Sequence, residues 1–143
     1  MYHVLLPVDA DEGRAARAAE AIESLPRESE SIAVTILTVF EEFDVNEEGG
    51  RASSEALYDR VDPPPAVERI RDRFERAGIE TTTRREHGDV ADTILGVAAE
   101  LDVDVIVIPG RKRSPVGKAV FGSTTQDVLL GADRPVTVTL LDT

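Results

Sequence analysis

With 143 residues, 28 acidic against 16 basic side chains and no cysteine, the chain has the length of one domain and a net charge that repels phosphate-rich partners. That argues against general nucleic-acid or anionic-membrane binding, and it leaves no disulfide framework, thiolate nucleophile or cysteine zinc site; two histidines as far apart as His3 and His87 make a poor metal cluster. No run of about 18 apolar residues occurs, and the start, MYHVLLPVDADEGR, has no basic segment ahead of its acids, so the expectation is a cytoplasmic protein.

In chain order, Val4 to Val8 reads as a short buried strand that ends at Asp9. Ala15, Ala18, Ile22 and Leu25 then recur at helical spacing until Pro26 stops the pattern. Ile32 to Phe40 is a second strand. The stretch from Glu41 to Asp62 is acidic, interrupted by glycine and too long for an ordinary connection. It is expected to be an insertion, with a candidate short helix at Ser54 to Asp59.

Val67, Ile70, Phe74 and Ala77 mark a helix opened by prolines at 63 to 65 and closed by Gly78, and Ile79 to Arg85 follows as a threonine-rich strand. Asp89 caps a helix whose face is Val90, Ile94, Val97, Ala98 and Leu101. Val103 to Ile108 is the most hydrophobic run and should be a strand covered on both faces. A short helix from about Ser123 to Leu130 and a strand from Val136 to Leu141 complete the pattern. Strands alternating with helices predict one α/β domain over 1–143: an open, five-stranded parallel sheet with helices on both faces.

In such a sheet, ligands bind outside the carboxyl ends of the strands where the strand order reverses. An order of 3-2-1-4-5 brings Asp9 together with the stretch GRKRSPVGKAVFGST, Gly110 to Thr124, which holds both lysines of the chain. Its glycines permit close backbone approach, its cations add charge, and Gly122-Ser123-Thr124 opens a helix whose first N–H groups favour an anion. The stretch is not a Walker A loop, because six residues separate Gly110 from Gly117 and Ala119 follows Lys118. The competing reading is a solvated loop in which Ser123 only caps the last helix. Asp9 likewise has a plainer role in capping the first helix near Asp11. His3, ahead of the first strand, reads as a surface or strand-edge residue and His87 as a turn residue, while Asp102 and Asp104 read as solvated turn residues on the far side.

VLLPVD at the start, HGDVADTILGVAAELDVDVIVIPG in the second half, and GKAVFGST with RPVTVTLLD at the end together resemble the universal stress protein family over essentially the whole chain. The resemblance implies a Rossmann-like domain that binds ATP, with Mg2+, in that crevice and acts in stress regulation without robust catalysis. Carried over residue by residue, it assigns Pro7, Val8, Asp9 and Val39 to the base and ribose end. Ile108, Gly110, Lys112, Gly122, Ser123, Thr124 and Thr125 fall to the rest of the cofactor path. The chain departs from the family loop where Pro109 and Lys112 occupy the two earlier glycine positions. The resemblance also implies a homodimer through Val136 to Leu141, an uncharged alternating strand that would be hazardous as a bare edge. The alternatives are a dimeric scaffold that binds no nucleotide and a slow ATP hydrolase.

Arginine outnumbers lysine 14 to 2 in this acidic chain, a composition like that of proteins working in molar salt. There the Debye length falls to about 3 Å and the self-repulsion of a negative surface is screened. The thermal unfolding midpoint is therefore expected to rise from dilute buffer to molar KCl; a midpoint that does not move would remove the salt-adapted reading.

Overall fold

Val4, Leu5 and Leu6 are consecutive and each is 0% exposed, which a strand permits only when both of its faces are covered. The computed structural model describes residues 1–9, 11–25, 31–40, 64–111 and 122–141. The insertion at 41–62, its candidate helix, Pro26 and Lys112 lie outside the described residues.

The strands are β1 (Tyr2–Pro7), β2 (Ile32–Phe40), β3 (Glu80–His87), β4 (Val105–Arg111) and β5 (Val136–Leu141). They form one parallel sheet in the order β3-β2-β1-β4-β5, as the pattern predicted. The described helices are α1 (Glu12–Glu23), α2 (Pro65–Arg76), α3 (Val90–Leu101) and α4 (Ser123–Gly131). Val4 and Leu6, Val34 and Ile36, and Val105 and Val107 point to the face that α1 and α2 cover with Ala15, Ala18, Ile22, Ile70 and Phe74. Leu5, Leu37, Ile106 and Ile108 point the other way, against Ile94, Val97 and Ala98 of α3 and Val128 of α4. The period of two therefore sorts β1, β2 and β4 into two cores.

Three strand bounds that differ from expectation have a local cause. β1 begins earlier because Tyr2 and His3 pair with Ile32 and Ala33, and the His3 N–H donates to Asp104 Oδ2 at 2.8 Å. His3 thus lies within β1, where its Nε2 is 2.7 Å from Thr35 Oγ1, and Asp104 holds a strand rather than only solvating a turn. β3 extends to His87 because β2 is long enough to pair with it through Phe40, and an edge strand tolerates the charged residues Arg84 to Glu86. Val103 is not in β4: α3 ends at Asp102 in the left-handed region (φ 50), and the Val103 N–H closes back on Ala98 O at 3.2 Å.

Ion pairs fasten the layers together. Glu23 receives Nε and Nη2 of Arg73 at 2.7 and 2.8 Å, and Glu12 pairs with Arg69 at 2.7 Å, so both ends of α1 are tied to α2. Arg84 of β3 donates to Glu86 and, through two nitrogens, to Glu100 of α3.

Two outcomes follow from this frame. Replacing Asp102 by glycine should raise the unfolding free energy by about 0.5–1 kcal/mol in a denaturant titration, because it relieves a left-handed Cβ clash. The ion pair lost is weak, with the Asp102 side chain 96% exposed. The second outcome concerns pH. The hydrogen bond from Arg84 lowers the Glu100 pKa, so its contribution is present above the unfolded carboxylate pKa and is lost as pH falls through the folded one. The stability difference between wild type and Glu100→Gln should be full at neutral pH and shrink below about pH 4; a difference independent of pH would contradict this.

Candidate functional site

The winding reverses between β1 and β4. From β1 the chain crosses to β2 on one side, and from β4 it crosses to β5 on the other, so the carboxyl ends of these neighbours open a crevice. The crevice is a cavity of about 440 Å³, within the range of small-molecule sites. Its walls fall into three chemical parts.

The first part is apolar. Leu37 and Val39 of β2, Ile108 of β4, and Val90 and Ile94 of α3 line one side. Together with Pro7, Val8 and Pro109 they form a slot suited to a flat, weakly polar ring.

The second part is the turn from β1 into α1. Val8 continues the ladder by donating to Leu37 O at 2.9 Å, and this places Asp9 at the rim. Asp9 does not cap α1. Asp11 does, accepting the Arg14 N–H on Oδ1 at 2.8 Å, while Asp9 Oδ1 accepts the Asp11 N–H at 2.9 Å. Asp9 Oδ2 lies 2.8 Å from Arg14 Nη2, so a carboxylate on an exposed rim has both oxygens engaged.

The third part is the start of α4. Gly122 is its N-cap and supplies no side-chain acceptor; the first intrahelical bond runs from Gln126 N to Gly122 O at 3.1 Å. Ser123 is therefore the first helical residue and not the cap, which corrects the plainer sequence reading. The N–H groups of Ser123, Thr124 and Thr125 have no intrahelical acceptor, and these residues line the cavity. By contrast, α1 and α3 begin under the carboxylates of Asp11 and Asp89, which would compete with any incoming anion. Gly110 lies flat against β5, where a Cβ would stand 3.1 Å from Val138 Cγ1.

Of the residues read from sequence, Pro7, Val8, Asp9, Val39, Ile108, Gly110, Gly122, Ser123, Thr124 and Thr125 all line this one cavity. Lys112 lies outside the described residues. Sequence reasoning missed Arg14, Leu37, Val90 and Ile94. Val90 and Ile94 were signalled only as a helical face, and a helical face does not announce that its first turn borders a cavity. Arg14 was signalled by its spacing from Asp11. His87 is at the end of β3 and does not line the cavity that holds Ser123, so these two provide no nucleophile and base pair there. Among the described residues, no group of three or more His, Asp or Glu is placed to hold a metal, and no helix is long and apolar enough to cross a membrane.

Comparison with known proteins places this geometry among relatives. The model of the universal stress protein family matches residues 1–139. No curated protein matches the chain. A universal stress protein from Archaeoglobus fulgidus is similar at 25% identity, with a TM-score of 0.66, covering 97% of this chain and 98% of that one. A structure of the universal stress protein from Archaeoglobus fulgidus in complex with dAMP is similar at 21% identity and a TM-score of 0.63, covering 97% and 98%. A universal stress protein family member from Arabidopsis thaliana with AMP bound shares 18% identity at a TM-score of 0.67, covering 98% and 92%.

Proposed function

The chain belongs to the universal stress protein family, and from that premise we propose that it is a regulatory protein that binds an adenine nucleotide, ATP with Mg2+, in the crevice between β1 and β4. The observation that carries the reading is the convergence of the three walls on one cavity: an apolar slot, a rim carboxylate and an uncapped helix start. The slot of Val39, Val90, Ile94 and Ile108 would take the adenine. Asp9 retains lone pairs for ribose hydroxyls, and the N–H groups and hydroxyls of Ser123, Thr124 and Thr125 would take a phosphate. Relatives of the same fold hold AMP and dAMP, which supports the same class of ligand here. Mg2+ would arrive with the phosphates rather than in a protein cage, as is usual for that ion.

Regulation rather than catalysis is the reading because, among the described residues, no general base stands beside a cavity hydroxyl: His87 does not line the site and the Asp9 carboxylate is engaged by Arg14 and Asp11. Pairing with a second copy through β5 belongs to the same proposal. β5 is an edge of the sheet, and Ile106 N bonds to Pro135 O. By the alternation of a strand, Val136, Val138 and Leu140 then direct their backbone N–H and C=O groups outward.

The test is direct. Protein purified in high salt is denatured, its supernatant is assayed for adenine nucleotide, and ATP with Mg2+ is titrated calorimetrically onto the native protein. Carry-over or saturable binding is expected, with Ser123→Ala together with Thr124→Val weakening affinity about tenfold or more. Absence of both carry-over and binding would overturn the reading in favour of a scaffold whose function lies in its assembly.

A further inference from the structure

The first turn of α1 contains a residue that the local rules disfavour. Arg14 is the third residue of the helix, where unpaired backbone N–H groups make the end positive and a cation is unwelcome. The capping of α1 does not need its guanidinium. Asp11 caps through the backbone N–H of Arg14, at 2.8 Å, which any residue but proline supplies. Asp9 Oδ1 is likewise held by the backbone of Asp11.

The guanidinium is nonetheless well fixed. Nη2 is 2.8 Å from Asp9 Oδ2 and Nη1 is 3.3 Å from Asp11 Oδ2, with the side chain only 18% exposed. It lines the same cavity as Ser123 and Thr124 and is the only basic side chain among the described residues that do so. A local rule broken where the capping bonds do not require it points to function.

Resting on the adenine-nucleotide reading of this cavity, we propose that Arg14 is a positioning and specificity-determining residue that selects phosphorylated nucleosides over the neutral nucleoside. It holds one oxygen of the Asp9 carboxylate. Its positive charge also offsets Asp9 and Asp11, whose combined field would otherwise repel an anionic ligand. Adenosine, which has no charge, should be nearly indifferent to that offset.

The experiment titrates AMP and adenosine separately onto wild type, Arg14→Gln and Arg14→Lys, with a thermal melt of each variant to establish folding. Arg14→Gln keeps a donor and loses the charge. It should weaken AMP about tenfold and adenosine by less than about threefold, while Arg14→Lys should keep most of the preference. Should Arg14→Gln fail to fold, Arg14→Met retains the packed stem and gives the same readout. Equal weakening of both ligands, or of neither, in a folded variant overturns the assignment and leaves the nucleotide reading standing. A wild type that binds neither of these ligands nor ATP with Mg2+ removes the nucleotide reading, and this inference falls with it; one that binds ATP alone overturns the inference and leaves that reading standing.

Discussion

The burial of both faces of the parallel sheet is the constraint from which the rest of the molecule follows. Because β1 and β4 are covered on each side by helices, polar chemistry has no place on the strands and is driven to their ends. At the carboxyl ends the two crossovers leave in opposite directions, and the backbone of neighbouring strands parts without leaving a core unfilled. The cavity is thus a by-product of the winding. What the chain adds is the identity of the residues at the rim: Asp9 and Arg14 on one bank, Gly122 to Thr125 on the other.

Those two banks are chemically unequal. Among the described residues, the α4 bank has helix N–H groups with no side-chain cap, whereas the α1 bank has two carboxylates and one guanidinium. Pro109, two residues before the end of β4, brings no N–H to the path between them. An anion therefore has one well-furnished place to rest, at the start of α4, and the opposite bank must be made tolerable to it. This asymmetry makes the neutralisation of Asp9 consequential rather than incidental.

Most of the fold was legible because hydrophobic period and burial coincide. Val103 to Ile108 read as a strand covered on both faces and Ile32 to Phe40 as a strand, and Asp89 marked its helix by capping chemistry. The bounds that shifted were set by partners that a local reading does not include: β3 gained Glu86 and His87 from pairing with Val39 and Phe40, and Val103 was claimed by the left-handed close of α3. The candidate site was legible where a motif touched it, at Asp9, Val39 and Gly122 to Thr125. Its other wall was not. Val90 and Ile94 carry the signal of a core helix, because a side chain that faces a cavity and one that faces a core obey the same helical period. Arg14 carried only its spacing from Asp11, which marks an ion pair and not a cavity.

The acid surplus bears on the same point. Arg14, Arg17, Arg69, Arg73, Arg84 and Arg134 each pair with a carboxylate, and the two-nitrogen contacts of Arg73 and Arg84 fix geometry in a way a lysine point charge does not. Exposed pairs of this kind add little free energy and less in salt, so their effect is to set the register of α1 on α2 and of β3 on α3. Arg14 differs in kind. Its partners include the rim acid of a cavity, its shielding from solvent keeps its field from being screened as readily, and the helix end on which it sits opposes it. In a chain where carboxylates outnumber cations, a guanidinium placed against the helix dipole, in the same cavity as an uncapped helix start, is an arrangement by which an acidic protein could still accept a negatively charged ligand.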